Sequence, residues 1–311
     1  MRPAFSRPLT LWRLLDGKPG HEKQTLGLAQ ALGRLTDCRC LDIAVPARGA
    51  RFLSWLAGRF PAGDGRPAPD LILAAGHATH LAALAARRAH GGRIAVLMKP
   101  SLPLAWFDLC LIPEHDAPPA RSNALATLGV LNAVTPGGEK VQDDGLFLIG
   151  GVSPHYRWDD DEVIRQIRAV IDATPEVHWR LTDSRRTPAS FMARLTSATT
   201  GTHLEILPHA TTPPGWLEQT LSAAGQAWVS EDSVSMVYEA LTAGCAVGLI
   251  RLPSTHDSRI SRGIATLVRD NWLTTFNDWR QNRRLPPPPG RFDEAGRCAE
   301  EILKLWFRNA N

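Results

Sequence analysis

Little cysteine, no long apolar run and little net charge limit what this 311-residue chain can be. Its five cysteines are odd in number and include no Cys-x-x-Cys pair, which argues against a disulfide framework and against a zinc ribbon. The first apolar run, 9–15, is broken by Arg13 and followed by Asp16, so it is too short for a signal sequence or a membrane span. A net charge of +4 is too small to indicate nucleic acid. We therefore expect a cytoplasmic protein without a nucleic-acid partner.

What the sequence does contain is a regular alternation of short apolar runs and longer helical patterns. LWRLL is followed by TLGLAQALGRL, and DLILAAG is followed by HATHLAALAARRAHG. Strands that alternate with helices in this way predict parallel sheets. Ten apolar runs fit such strands: 11–15, 40–45, 70–76, 93–98, 107–113, 146–151, 177–182, 203–208, 226–230 and 245–253.

The chain is long enough for two cores of about 150 residues each. Periodicity disappears in TPGGEKVQDDG, 135–145, and the alternation restarts at LFLIGG, 146–151, which indicates a domain boundary. The predicted fold class is therefore α/β, with two Rossmann-like, doubly wound domains that face each other across a cleft. We expect an N-terminal domain at 1–138 and a C-terminal domain at 139–285.

The last segment, 286–311, predicts a spacer followed by a helix. PPPPG can form neither a helix nor a central strand and is typical of a stiff polyproline stretch. DEAGRCAEEILKLWFRN predicts an amphipathic helix whose apolar Ile302, Leu305 and Trp306 need a surface to cover. We expect this helix to pack back on the N-terminal domain.

The first candidate site is DGKPGHEKQ, 16–24, which follows the first strand. Ligands of doubly wound sheets bind beyond the carboxyl ends of the strands. The motif lacks the dinucleotide fingerprint and Pro19 has no N–H to offer a phosphate, so a polar substrate gripped by His21, Lys18 and Gln24 is favoured. The structural alternative is a tight turn with His21 exposed at the start of a helix.

The second candidate site is SEDSVSMVYEALTAG, where a strand ends and a helix begins. A helix capped by Asp232 or Ser233 can bind a diphosphate through its free N–H groups. Glu239, about two turns into the helix, can accept hydrogen bonds from ribose hydroxyls. Glu231 and Asp232 would repel a phosphate unless they point away, and a well-capped core helix is the alternative.

Another turn, Gly150-Gly151, follows a predicted strand and leads to Ser153. Glycines there let the backbone approach a ligand closely. The next helix begins with three aspartates, 159–161, which fit a helix dipole better than a metal site.

Two polar turns in the first half complete the candidates. His77 opens the helix after DLILAAG, and Glu114-His115 closes the strand FDLCLIP. Both turns can contact substrate or can form only a polar rim. Neither has the ligand spacing that specifies a metal.

The segment RGARFLSWLAGRF, 48–60, has apolar residues interleaved with arginines. A basic amphipathic helix with aromatic residues can lie on an anionic membrane surface. A core-packing helix with solvated arginines is an equally good interpretation.

Taken together, these motifs resemble the bacterial members of the elongated-mitochondria fission-factor family, named after a plant protein that helps divide mitochondria. The matching stretches, in chain order, are DGKPGHEKQ, FDLCLIPEHD, NALATLGVLNAV, LIGGVSPHYRW, LTDSRRTP and SEDSVSMVYEALTAG. Sequences of that family in turn resemble glycosyltransferases of the GT-B fold, especially the peptidoglycan enzyme that adds N-acetylglucosamine to a lipid-linked acceptor.

The resemblance implies roles for two residues. His21, at the Gly-His position of the first turn, would serve the acceptor as general base, and Glu239 would contact the ribose of the donor. The resemblance implies a glycosyltransferase that moves a sugar from a nucleotide-diphosphate donor to an envelope-related acceptor. A lipid-linked molecule is one such acceptor. Because Gly244-Cys245-Ala246 stands where many such transferases have Gly-x-Pro, a non-catalytic scaffold that keeps the fold is the alternative.

His21 and Asp16 are therefore the catalytic candidates. The substrate-binding candidates are Lys18, Gln24, His77, Glu114 and His115. The nucleotide-binding candidates are Gly150, Gly151, Ser153, Arg185, Arg186, Glu231, Asp232, Ser233, Ser235 and Glu239. We expect no metal and no other cofactor, because helix dipoles can stabilise the leaving diphosphate. The expected partners are the nucleotide sugar, the acceptor and, through 48–60, the inner face of the membrane.

Overall fold

Two parallel six-stranded sheets account for the alternation in the sequence. The computed structural model describes residues 7–256 and 258–307. The described residues divide into unit 1, which comprises 7–133 and 293–307, and unit 2, which comprises 134–292. The predicted ranges 1–138 and 286–311 also include 1–6 and 308–311, which lie outside the described residues.

Unit 1 is a doubly wound sheet with strand order β2-β1-β3-β4-β5-β6. Its strands are β1 (Leu9–Leu15), β2 (Cys38–Ala44), β3 (Leu71–Ala75), β4 (Arg93–Leu97), β5 (Leu109–Pro113) and β6 (Ala124–Thr127). Its first helices are α1 (Pro19–Leu35), α2 (Arg48–Ala57) and α3 (His77–His90). The strand order reverses at β1, which pairs with β2 on one side and β3 on the other. The crevice for a ligand is expected beyond the carboxyl ends of β1 and β3.

Unit 2 is a second doubly wound sheet with strand order β12-β11-β10-β7-β8-β9. Its strands are β7 (Val141–Leu148), β8 (His178–Thr182), β9 (Leu204–Ile206), β10 (Ala224–Ser230), β11 (Ala246–Ile250) and β12 (Thr274–Thr275). Its helices are α4 (Asp160–Ala173), α5 (Ala189–Ala198), α6 (Trp216–Ala223), α7 (Val234–Ala243), α8 (Arg259–Arg269) and α9 (Phe276–Asn282). Here the order reverses between β7 and β10, so their carboxyl ends define the corresponding crevice.

The core of unit 1 lies on both faces of its sheet because successive side chains of a strand point to opposite faces. Leu9 and Leu11 of β1 belong to one buried cluster, and Trp12 and Leu14 belong to another. Every residue of β3 and β5 is buried, as expected of parallel strands covered on both sides.

The final helix, α10 (Glu294–Trp306), belongs to unit 1. Asp293 caps it by accepting a hydrogen bond from the backbone N–H of Gly296. Ile302 and Leu303 enter the same buried cluster as Leu28 and Leu32 of α1. The apolar face of α10 therefore covers α1.

Two boundaries differ in detail from the sequence expectation. β7 begins at Val141, inside the stretch where the domain boundary was expected, because the backbone of its polar amino half pairs with β10. The proline-rich 286–290 falls within unit 2, and the chain re-enters unit 1 at 293. Among the helices of the described ranges, none combines the length and the hydrophobicity needed to cross a membrane.

Candidate functional site

The first motif forms a closed turn between β1 and α1. Gly17 adopts a φ of +77°, which favours glycine, and its N–H donates to Glu22 Oε1 (2.9 Å). The N–H of Lys18 donates to Asp16 Oδ1 (3.2 Å). The carboxylates of Asp16 and Glu22 therefore hold this turn through two backbone N–H groups.

Asp16 and His21 form a hydrogen-bonded pair at the end of β1. Asp16 Oδ2 lies 2.8 Å from His21 Nδ1, and the Asp16 side chain is 1% exposed while that of His21 is 22% exposed. A carboxylate at Nδ1 favours a proton on that nitrogen, which leaves the lone pair on Nε2. The pair therefore has the arrangement of a general base oriented by an acid.

Gly76 fixes the place of the His21 ring from the neighbouring strand. It follows β3 with a φ of +81°, and a Cβ there would lie 2.3 Å from both Cε1 and Nδ1 of His21. Only glycine therefore leaves room for the imidazole. The sequence indicated a turn at this glycine but gave no sign of its contact with His21.

A second histidine of unit 1, His80, lies close to this pair but in the interior. Its side chain is buried, and its Nδ1 lies 3.2 Å from Ser101 Oγ. Burial, together with the nearby His77 and His21, lowers the pKa of His80 to about 4. His80 is therefore neutral at physiological pH.

The other unit 1 candidates divide into near and distant groups. His77 follows β3, the strand next to β1. Glu114 and His115 follow β5, which lies three strands from β1, or about 14 Å along the sheet edge. Lys18 is exposed at the turn. Gln24 is buried, and its Nε2 lies 3.5 Å from Met98 Sδ, so this amide points into unit 1.

In unit 2, the turn after β7 meets the turn after β10. The N–H of Gly150 donates to Ser230 Oγ (2.7 Å), and the N–H of Gly151 donates to Asp232 Oδ2 (3.0 Å). A Cβ on Gly150 would lie 2.2 Å from Asp232 Oδ2, and one on Gly151 would lie 2.1 Å from the carbonyl oxygen of Arg186. Both glycines are therefore required, because the turns after β7, β8 and β10 pack closely together here.

Arg186 and Asp232 hold these segments together. Their side chains form an ion pair of 2.7 Å, and the Asp232 side chain is fully buried. Arg186 also donates to Ser233 Oγ (3.1 Å) and to the carbonyl oxygens of Gly151 and Val152. The charge of Asp232 is thus balanced inside the turn. Its Oδ1 has no hydrogen-bond partner among the described residues.

Glu231 is also turned inwards. Its Oε2 accepts a hydrogen bond from the backbone N–H of Leu252 (2.9 Å), and burial raises its pKa to about 7. Burial, and then the charges of Glu231 and Asp232, raise the pKa of the neighbouring Tyr156. Tyr156 was not a sequence candidate, although it lies within LIGGVSPHYRW.

Helix α7 begins directly after this network. The Ser233 side chain does not cap it, so its first N–H groups lack that partner, and Ser235 is exposed in the first turn. Glu239 is 5% exposed and lies in the second turn of the helix. Arg185 is exposed and forms no ion pair with a described residue. Ser153 Oγ accepts from the N–H of His155 (3.2 Å).

Comparison with known proteins places the chain in a family. The family model described as Mitochondrial fission ELM1 matches residues 19–306. The chain belongs to this family. No curated protein matches it with significance. Among the described residues, no group of three or more His, Cys, Asp or Glu side chains is arranged to hold a metal ion.

Solved structures similar to this ELM1-family chain share its fold at low identity. A Listeria monocytogenes protein assigned as a UDP-N-acetylglucosamine 2-epimerase has a TM-score of 0.62 at 10% identity, covering 96% of this chain and 95% of its own. Acinetobacter baumannii MurG has 0.55 at 14%, covering 96% and 100%. The Neisseria meningitidis UDP-GlcNAc 2-epimerase bound to UDP-GlcNAc has 0.53 at 8%, covering 97% and 100%. The fold of this chain is therefore of the GT-B type, as the sequence resemblance implied.

Proposed function

We propose that this ELM1-family chain is a glycosyltransferase. In this proposal, unit 2 holds a nucleotide-diphosphate sugar and unit 1 activates the hydroxyl group of an envelope-related acceptor, such as a lipid-linked glycan. The observation that carries the proposal is the Asp16–His21 pair, with His21 Nε2 left as the basic nitrogen at the carboxyl edge of β1. The GT-B fold supports it, since one similar structure is described as bound to UDP-GlcNAc.

The donor is expected at the start of α7. The uncapped N–H groups of its first turn and the exposed Arg185 suit a diphosphate, with Ser235 and Ser153 as further hydrogen-bond donors. Glu239 is the proposed ribose contact. The ion pair of Arg186 with Asp232 removes the repulsion that an unbalanced carboxylate would exert on the phosphates.

The proposed reaction is a direct displacement at the sugar. His21 Nε2 takes the proton of the acceptor hydroxyl, and Asp16 stabilises the resulting imidazolium. The hydroxyl oxygen bonds to the anomeric carbon while the bond from that carbon to the phosphate oxygen breaks. The nucleoside diphosphate leaves with both electrons of that bond and is stabilised by the helix N–H groups.

Titration calorimetry with UDP-, GDP-, CDP- and ADP-sugars tests the proposal. We expect one nucleotide to bind, and His21→Ala to bind it unchanged while losing about 10²- to 10⁴-fold in turnover. His178→Ala, at an exposed histidine on the amino end of β8, is the matched control and should keep both donor binding and turnover. Absence of heat and of any thermal shift with every nucleotide sugar would contradict the proposal.

One observation favours the alternative of a non-catalytic scaffold. Asp232 already accepts the N–H of Gly151, a group that a phosphate would otherwise use, and Arg186 is occupied by Asp232. If the turn is closed in this way for a structural reason, no nucleotide will bind and Asp232→Asn will only lower stability. The same titrations therefore separate the two functions.

Peripheral attachment to the inner face of the membrane is a further part of the proposal. Segment 48–60 contains three arginines and no acidic residue, and no residue of α2 is buried. We expect anionic vesicles to retain the protein, and the double variant Arg51→Glu with Arg59→Glu to abolish retention. Retention of the double variant at the wild-type level would exclude this contact.

A further inference from the structure

A cavity of about 300 Å³ lies beside α2 in unit 1. Its polar lining comes from three elements: Arg48 and Arg51 of α2, His77 at the start of α3, and Ser101 after β4. Ala78, Leu81 and Leu102 complete it. No residue of the Asp16–His21 turn lines this cavity, but His77 directly follows Gly76, which contacts the His21 ring, so the cavity lies next to that turn.

The polar lining of the cavity is basic or neutral. Neither Arg48 nor Arg51 forms an ion pair with a described residue, and no carboxylate is among the lining residues. Arg51 donates to the carbonyl oxygen of Ala78, which holds its guanidinium against the first turn of α3. Gly76, which precedes α3, cannot supply a side-chain cap, so the helix start adds positive potential. An anion is the ligand that this lining fits.

The cavity adjoins an exposed apolar face. Phe52, Leu53 and Leu56 of α2 are 51%, 64% and 62% exposed. Trp55 of the same helix stacks on Trp106, with ring centroids 6.1 Å apart. Exposed aliphatic and aromatic side chains beside arginines that form no ion pair are typical of a surface that contacts lipid headgroups and the upper acyl chains.

We propose that this cavity binds the phosphate headgroup of a membrane lipid, whose hydrocarbon chains lie along Phe52, Leu53 and Leu56. Arginine matches phosphate oxygens with paired hydrogen bonds. A volume near 300 Å³ is at the small end for ligand pockets and suits a headgroup better than a whole nucleotide sugar. The inference rests on the proposed membrane contact of 48–60, but it is independent of sugar transfer.

Vesicle binding of the full-length protein, without nucleotide, tests the inference. One set of vesicles contains phosphatidylcholine with phosphatidic acid, and the other contains phosphatidylcholine with phosphatidylserine, adjusted to equal surface potential. We expect about tenfold tighter binding to phosphatidic acid, because its phosphate monoester is free to accept charge-assisted hydrogen bonds.

Two variants that remove the same charge distinguish the cavity from general attraction. Arg48 lines the cavity, whereas Arg59 lies in the same segment but outside it. We expect Arg48→Gln to abolish the preference for phosphatidic acid. Arg59→Gln should weaken binding to both vesicles alike, by about fivefold, and keep the preference.

Equal binding to the two vesicles, or equal effects of the two variants, would overturn the inference in favour of surface electrostatics alone. Inorganic phosphate in calorimetry should bind at least about a hundredfold more weakly than the phosphatidic acid vesicles, since it gains nothing from the apolar face. Comparable affinity for inorganic phosphate would make this a free-phosphate site and overturn the lipid assignment. Because no nucleotide is present, failure of the donor proposal leaves these results unaffected.

Discussion

His21 is held from two strands of one sheet: Asp16 follows β1 and binds its Nδ1, while Gly76 follows β3 and leaves room for its ring. Such an arrangement leaves the imidazole little freedom to rotate. Preorganisation of this kind is what a proton-abstracting group requires, since its geometry is set before the substrate binds.

Gly76→Ala should be more destabilising than a positive φ alone explains. The new methyl group would overlap the His21 ring, so we expect a loss of about 3–5 kcal/mol in the free energy of unfolding. The backbone strain alone should cost about 1–3 kcal/mol, because a φ of +81° with a ψ of +150° is a conformation that only glycine readily adopts. Gly91→Ala is the matched control, because Gly91 has a φ of +79° and open space around it. Chemical denaturation measures both. Equal losses would mean that the contact with His21 is unimportant.

Glu231→Gln should change how stability depends on pH. The folded pKa of about 7 lies above the ordinary value of 4.5, so the folded state holds this proton more tightly than the unfolded state. The stabilisation is complete below about pH 4.5 and is lost as the pH rises through 7, by up to about 3 kcal/mol. Relative to wild type, Glu231→Gln should therefore gain stability as the pH rises.

Urea denaturation at several pH values between 4.5 and 8 measures that difference. Glu205→Gln, at an exposed position of β9, is the control and should show no such trend. A difference between wild type and Glu231→Gln that stays constant with pH would show that Glu231 titrates normally.

At the scale of elements, α10 is stabilised through one of its faces. Ile302 is fully buried against α1, whereas Leu305, on the same helix, is 51% exposed. We expect Ile302→Ala to cost about 2–5 kcal/mol and Leu305→Ala less than about 1 kcal/mol. Thermal and chemical unfolding measure both variants. Similar costs would contradict the packing described for α10.

The sequence predicted the elements that bury continuous apolar runs. β1, β3 and β5 are of this kind, and their hydrophobicity requires cover on both faces. β6 and β12 were missed, because they are short strands at sheet edges and only the paired backbone defines them. The polar amino half of β7, an inner strand, was missed because its residues have no apolar pattern and only backbone pairing defines it.

The candidate sites were predictable only in part. Asp16 and His21 are five positions apart across one turn, so their proximity can be inferred from sequence. Gly76 with His21, and Arg186 with Asp232, are contacts between distant segments that the strand order creates. Their residues were recognised singly, at the ends of strands, but the pairings depend on which strands are neighbours.

At the scale of the whole molecule, each unit has its own sheet and its own buried clusters. We expect calorimetry to show two unfolding transitions, since separate cores need not unfold together. The proposed donor site predicts that a nucleotide sugar at one hundred times its Kd stabilises only the transition of unit 2, by about 2.7 kcal/mol. Truncating Ile302 to Ala should lower only the other transition. A single transition that both changes shift alike would contradict this independence.

The return of the chain to unit 1 at 293 affects the order in which the protein can be assembled on the ribosome. Unit 2 is one continuous stretch, so it can fold as soon as it has emerged. The apolar face of α1 stays uncovered until then, because α10 is translated only after the whole of unit 2. Nascent chains stalled before 294 should therefore expose the apolar face of α1, and we expect chaperones that bind apolar segments to bind unit 1 at that stage.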